Sequence, residues 1–548
     1  MRVFRFMLGM TVLAGCAGWS LAAGSTYDVI FKNARIIDGT GAPWYRGDVA
    51  VKGDVVAQVG RLDEESTAPV VVDVADKYLA PGFIDVHTHC EGDFDGQAEA
   101  QNFLRMGVTS VVMGNCGGSY LDLDDRFTSL TKMGLGPNVA TLVGHNTVRR
   151  RVIGNEARDP STTELLDMKA LVREAMEDGA LGISTGLIYT PGTYSKTEEI
   201  IELTKEVAPF GGLYVSHMRS EGLNVTSAIE EALTIGKEAG TPVHISHFKL
   251  SSPKRHGQST VTLGMVEAAR AAGQDVTVDQ YAYTASSTSM SSMLPDYAVA
   301  GTRSEIVARL TDETSRTKIA EDMKKSYESS GRTDLSHARI ASFSPDVSLN
   351  GMSIPEIAVL WERGETIEAQ IDVVLDMMTS GGASMVFHSM DEADVQNIMA
   401  YPNTMIASDS GIRTLGRGMP HPRGYGNNAR VLGLYTRDLK LLRLEDAVRK
   451  MTSLPARTMR LNDRGLLRPG MAADVVVFDL DKVKDVSQFR APHAYAEGFS
   501  HVMVNGKLII FDGELTEERS GRILRSPAST RQADAHAGAG KASVEWVN

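Results

Sequence analysis

The stretch PGFIDVHTH (residues 81–89) decides the fold. Its apolar run reads as a short β-strand that ends in two histidines. Side chains two apart in a strand point to the same side, so His87 and His89 face together, with Phe83 and Asp85 in the same parity. Working outward, the same design recurs as TSVVMGNC (109–116), NVATLVGH (138–145), ALGISTG (180–186), GLYVSHMR (212–219), PVHISHFK (242–249), QDVTVDQYAY (274–283) and TMIASDSG (404–411). Helical stretches such as STTELLDMKALVREAMEDG and VTSAIEEALTIGKEAG, each stopping at a glycine, separate these strands. Alternating strands and helices build a parallel sheet, and eight units suggest a (β/α)₈ barrel over residues 81–464. A doubly wound sheet is the alternative, since counting strands does not show closure.

Two further regions frame the barrel. Residues 24–80 and 465–525 are rich in Val and Ile and punctuated by Gly, Asp and Asn, with Asn505-Gly506 as a hairpin signal. The two ends are expected to pair as one small β-sandwich domain. Between the seventh and eighth strands lies a long gap, about 285–403. A structureless loop of that length is implausible, so it reads as a partly helical insertion over the barrel mouth. Residues 526–548, rich in Ala, Gly and Ser, read as a flexible tail.

Polar residues collect at the C-terminal strand ends, the face that carries the active site in such barrels. His87 and His89 end the first strand, Cys116 the second and His145 the third. His217 lies near the end of the fifth, His247 near the end of the sixth and Asp409 near the end of the eighth. Imidazole, thiolate and carboxylate are the ligands zinc takes. A lone His-X-His is weak evidence, but one candidate on each of several strand ends points to a metal centre. His244, three residues before His247, points to the opposite face and reads as structural.

Composition narrows the function. Of 548 residues, 42% are hydrophobic and 23% charged, so a large soluble core is affordable; the formal net charge of −13 disfavours a nucleic-acid partner. Arg2 and Arg5 precede an apolar stretch that is short for a membrane span, so residues 1–23 read as an export signal. Leu13-Ala14-Gly15-Cys16 offers a lipidation site, which would make the chain an envelope lipoprotein; cleavage after Ala22 would make it periplasmic. Beyond Cys16 only Cys90 and Cys116 remain, too few for a disulfide framework, although a bond between them would remove the proposed thiolate.

With these residues in view, the chain resembles the amidohydrolases. PGFIDVHTH and GLLRPGMAADVVVFD (465–479) are similar to their first-strand and C-terminal motifs. GNCGG (114–118), STGLIYTPGTYSKTEE (184–199), SHMRSEG (216–222), HISHFK (244–249), SDSG (408–411) and HPRGYGNNARVLG (421–433) resemble the D-aminoacylase family, across residues 27–515. The resemblance implies hydrolysis of N-acyl-D-amino acids with one or two Zn²⁺ ions. Cys116, His217 and His247 would hold the tight zinc, and His87, His89 and Asp409 a weaker site. Related enzymes bridge two metals with a carboxylated lysine on strand four; that strand has none here, and Cys116 is the natural substitute. Asp409 would move the proton, and Tyr189, Lys249 and Arg423 would bind the substrate carboxylate. Asn427 and Asn428 stand where relatives often have an apolar residue and proline. His388 and the methionines Met377, Met378, Met385 and Met390 are candidates for a side-chain pocket. Rival readings are a hydantoinase- or dihydroorotase-like opening of cyclic amides, cleavage of D-residue dipeptides, and a non-catalytic envelope protein on the same scaffold.

Overall fold

The structure, a computed structural model, describes residues 26–75 and 77–529. The expected signal segment with Cys16, and the tail beyond residue 529, lie outside the described residues.

Eight parallel strands form the barrel: β1 (Phe83–Asp85), β2 (Val108–Met113), β3 (Asn138–Thr141, continued by Val143–Gly144), β4 (Gly182–Gly186), β5 (Leu213–His217), β6 (Val243–Ile245), β7 (Val276–Gln280) and β8 (Thr404–Ile406). Each pairs with the next, as in Val111↔Val139, Ile183↔Val143 and Val278↔Thr404. Closure, which the sequence left open, comes from the chain just beyond β1 and β8. Thr88 bridges Ser410 in parallel, His89 N donates to Ser410 O at 2.9 Å, and Asp409 N donates to His87 O at 2.9 Å. The last ladder bonds of the barrel are thus made by the backbone of its candidate ligands. Ile84, Val112, Ala140, Val215 and Met405 join one apolar cluster between the strands, so the barrel is a packed core rather than a pore.

The two chain ends meet in one nine-stranded sheet. The joint is antiparallel pairing of Tyr78–Pro81 with Val475–Phe478, where Ala80 faces Val476. Phe31, Val49, Leu79, Val475 and Met503 make its apolar core. Asn505 and Gly506 both have positive φ, 44° and 80°, as the tight hairpin requires. After this sheet the chain returns to the barrel. Val139 N donates to Arg522 O and Leu524 N to Val139 O, both at 2.8 Å, so residues 522–524 lie along β3.

The insertion is a compact body with its own core, which includes Met290, Leu310, Ile340, Ile371, Met377 and Met385. Its three-stranded sheet (Ala285–Ser289, Ser384–His388, Ala338–Ser342) ends at His388. The helix Glu392–Ala400, inside the range assigned to the insertion from sequence, instead completes the barrel ring: Ile398 joins the barrel core, and Asp394 accepts from Gly257 N (2.7 Å) and Ser259 N (3.1 Å).

Candidate metal centre

Six side chains converge at the C-terminal mouth. Cys116 Sγ is 3.4 Å from His87 Nε2, 3.4 Å from His217 Nδ1 and 3.7 Å from His247 Nε2. His89 Nε2 lies 3.1 Å and His87 Nε2 3.6 Å from Asp409 Oδ1. In each of the trios His87–His89–Cys116, Cys116–His217–His247 and His87–His247–Asp409, the donor atoms lie within 4.8 Å of one another. A tetrahedral zinc, with bonds of about 2.3 Å to sulfur and 2.0–2.1 Å to nitrogen, spaces its donors about 3.3–3.6 Å apart. The sulfur–nitrogen distances match that spacing; the 2.8 Å between His217 Nδ1 and His247 Nε2 is tighter. Cys116 faces both groups of histidines, the place a bridging ligand must take.

Local backbone builds this arrangement. Cys116, His247 and Asp409 have φ of 52°, 34° and 52°, a left-handed region that non-glycine residues rarely occupy. Three donors in that conformation at three strand ends mark a strained, over-determined site. Glycine lets the Cys116 loop approach β4: a Cβ on Gly186 would stand 2.2 Å from Cys116 O. Ser184 of β4 completes the clamp, donating to Gly114 O at 2.5 Å and accepting from Gly117 N at 3.0 Å. β4 carries no lysine; it offers a hydroxyl and a bare backbone that hold the cysteine loop. Both Cys90 and Cys116 are free thiols, so the disulfide hazard does not arise.

A second layer of carboxylates orients the rings. Asp279, on β7, sets Oδ2 3.2 Å from His87 Nδ1 and 2.7 Å from His244 Nε2, while Oδ1 accepts from His247 N at 2.8 Å. Glu221 Oε1 lies 2.8 Å from His247 Nδ1 and accepts from Lys249 Nζ at 2.5 Å. Such partners fix which ring nitrogen turns toward a metal. Sequence reasoning missed both acids. Asp279 is the one acid in a fully buried strand, VTVDQ, and it follows the alternating Val276 and Val278, a signal that could have found it; Glu221 sits in SHMRSEG with no spacing that distinguishes it. His244 is structural in that it touches no other candidate ligand, but it braces Asp279, with its own Nδ1 3.0 Å from Thr277 Oγ1. His145 stands apart from the cluster: its Nε2 pairs with Glu199 at 2.9 Å.

Electrostatics favours anions here. Burial opposes the Cys116 thiolate, yet His87 and His217 outweigh it and hold the thiol well below its ordinary value. Burial likewise opposes the Asp409 carboxylate, and Arg423, His87 and His89 overcome it, so Asp409 is kept ionised. Arg423 Nη1 is 2.8 Å from Asp409 Oδ2, and the guanidinium stacks over Tyr281 at 4.6 Å.

His89, Cys116, His217, His247 and Asp409 line a cavity of about 290 Å³ shared with Tyr189, Lys249 and the Ser286–Thr288 strap from the insertion, with His87 buried behind them. Tyr189 OH hydrogen-bonds Thr288 Oγ1 at 2.9 Å, closing barrel loop to insertion. Asn427 is buried, accepting from Ala282 N (2.9 Å) and donating to Ala407 O (3.0 Å), so it ties β7 to β8. The methionine-rich segment is mainly packing: Met377 and Met385 are fully buried in the insertion core, while Met378 reaches a wider neighbouring cavity. His388 packs on Phe489, ring centroids 4.6 Å apart, away from the metal-site cavity.

The amidohydrolase family model matches residues 70–322 and 393–510, and the gap between them lies mostly in the insertion. A D-aminoacylase from Alcaligenes xylosoxydans xylosoxydans is 36% identical over 526 residues, covering 92% of this chain and 98% of that protein. The chain belongs to the amidohydrolase family, on its D-aminoacylase branch. This amidohydrolase superposes on a D-aminoacylase described by its binuclear metal centre, with one-metal activation and second-metal attenuation (TM-score 0.77, 35% identity, 91% of this chain and 100% of that one). It also superposes on an N-acyl-D-glutamate deacylase from Bordetella bronchiseptica, solved with zinc and a phosphonate mimic of the tetrahedral intermediate (TM-score 0.78, 31% identity, 91% and 100%).

Proposed function

We propose that this amidohydrolase is a zinc-dependent deacylase that cleaves the amide bond of N-acyl-D-amino acids, releasing a carboxylate and a D-amino acid. The observation that carries the reading is the convergence of Cys116, His217 and His247 with His87, His89 and Asp409 at the floor of one small cavity, which all but His87 line. The first three residues would hold the tight zinc. The second three would hold a weaker ion, with Cys116 shared. The D-preference follows the branch to which the chain belongs. Reading residues 1–23 as an export signal adds that the reaction runs in a bacterial envelope, on a lipid anchor if Cys16 is modified.

When bound, zinc polarises the amide carbonyl and brings water towards ionisation near neutral pH. Asp409, ionised before the reaction, accepts the proton of the attacking water. It then gives that proton to the amide nitrogen, a poor leaving group until protonated. Arg423, 2.8 Å away, stabilises the carboxylate form. Lys249 in this cavity and Arg423 in the adjoining one supply positive charge for the substrate's α-carboxylate, and Tyr189 bounds the cavity beside His217, ring centroids 4.8 Å apart.

The test is a panel of N-acetyl-D- and N-acetyl-L-amino acids assayed on the full chain, with chelator and after zinc is restored. Chelator-sensitive, zinc-restored hydrolysis confined to D-substrates upholds the reading. No hydrolysis of any D-substrate, or activity indifferent to chelator, overturns it.

A further inference from the structure

A second cavity, about 500 Å³, opens beside the metal-site cavity and shares His89, Ser287, Thr288 and Asp409 with it. Its remaining polar lining includes Arg413, Arg423, Ser342 and Ser384. Asp409 is the sole carboxylate in that lining, and Arg423 already pairs with it at 2.8 Å.

Arg413 has no such partner. Among the described residues no carboxylate lies within ion-pair distance of its guanidinium; Nε donates to Ser410 Oγ at 3.2 Å. Asp93 is the acid that most supports its charge, from beyond ion-pair distance, and Asp93 Oδ2 accepts from Ile412 N at 2.8 Å. The arginine is nevertheless held in place. Its stem lies against the start of the helix Arg423–Arg430, where a Cβ on Gly424 would stand 2.9 Å from Arg413 Cγ. Burial disfavours this charge more than Asp93 supports it, and the neighbouring Arg423 adds to the cost, so an arriving anion relieves it.

We propose that the Arg413 cavity is a subsite for a second anionic group on the amine half of the substrate, so that the preferred substrates are N-acyl amino acids with a carboxylate side chain. Asp409 borders both cavities and delivers the proton to the departing amine, which fixes the amine half, rather than the acyl half, on this side. The α-carboxylate remains with Lys249 and Arg423. This subsite rests on the deacylase reading above and adds the substrate side chain to it.

The test compares acid with isosteric amide. Zinc-loaded wild type, Arg413→Gln and Arg413→Lys are titrated calorimetrically with D-glutamate and D-glutamine. In parallel, kcat/KM is measured for their N-acetyl derivatives. Both members of each pair carry the same α-carboxylate, so their ratio isolates the side chain and is insensitive to partial loss of folded protein. Wild type is expected to favour the acid by about ten-fold or more, Arg413→Gln to bring the ratio within about two-fold, and Arg413→Lys to keep part of the preference. A wild-type ratio near one, or a preference unchanged in Arg413→Gln, overturns the subsite. D-glutamate binding that follows Arg413 without hydrolysis of any N-acetyl-D-amino acid upholds the subsite and overturns the deacylase reading. Hydrolysis of N-acetyl-D-glutamine with no preference for the acid does the reverse.

Discussion

His87 Nδ1 lies 3.2 Å from Asp279 Oδ2, and this contact turns the other ring nitrogen, Nε2, to within 3.4 Å of Cys116 Sγ. Burial opposes the Asp279 carboxylate, but His87 and His244 hold it well below the usual carboxylate range, so it stays an acceptor. Asp279→Asn keeps the shape and removes the charge. Zinc affinity is expected to fall about 10–100-fold, measured by competition with a calibrated chelator. An unchanged affinity would separate Asp279 from the metal centre.

The approach of β4 to the Cys116 loop sets a second expectation. Because a Cβ on Gly186 would meet the Cys116 carbonyl oxygen at 2.2 Å, Gly186→Ala should push the cysteine loop away from β5 and β6. Bound zinc after dialysis should drop well below that of wild type, while far-ultraviolet circular dichroism stays unchanged. Full zinc retention would show that the loop position is not set by this contact.

Asp409 has a separable role. Asp409→Asn keeps the side-chain volume and removes the proton acceptor, so kcat is expected to fall by about 10²–10⁴. Zinc on Cys116, His217 and His247 should remain. A turnover near that of wild type would take the proton transfer away from Asp409.

The architecture was largely legible in the chain. Strand-end histidines at 87, 89, 217 and 247 sit on runs whose alternation forces them to one rim, and Asn505-Gly506 can turn only one way. Other features were hidden for physical reasons. Closure depends on bonds between residues 87–89 and 409–410, and hydrogen bonding across more than three hundred residues leaves no local pattern. Asp279 acts through a histidine rather than on substrate, and a single acid in a strand does not announce that. His145 shows the converse: it shares the strand-end position, yet opens the helix His145–Val152 and pairs with Glu199 outside the cluster.

The insertion carries a pH dependence of its own. Burial, with Arg332 adding, lowers His337 to about 3, and its Nδ1 is enclosed without a hydrogen-bond partner. In the unfolded chain histidine titrates near 6.5. Between these values the unfolded state binds more protons, so stability rises with pH: it is fully present above about 6.5 and lost as pH falls towards about 3. From about pH 7.5 to about pH 5, opening of the strand Ala338–Ser342 should become easier by about 2 kcal/mol. Hydrogen exchange, corrected for intrinsic rate, measures this, and His337→Gln should flatten it.

One measurement bears on the sulfur at the centre of the site. Zinc K-edge X-ray absorption on the dialysed full chain should show a sulfur neighbour at about 2.3 Å together with nitrogen or oxygen at about 2.0–2.1 Å, and Cys116→Ser should lose the sulfur shell. A wild-type spectrum with nitrogen and oxygen alone would contradict the account.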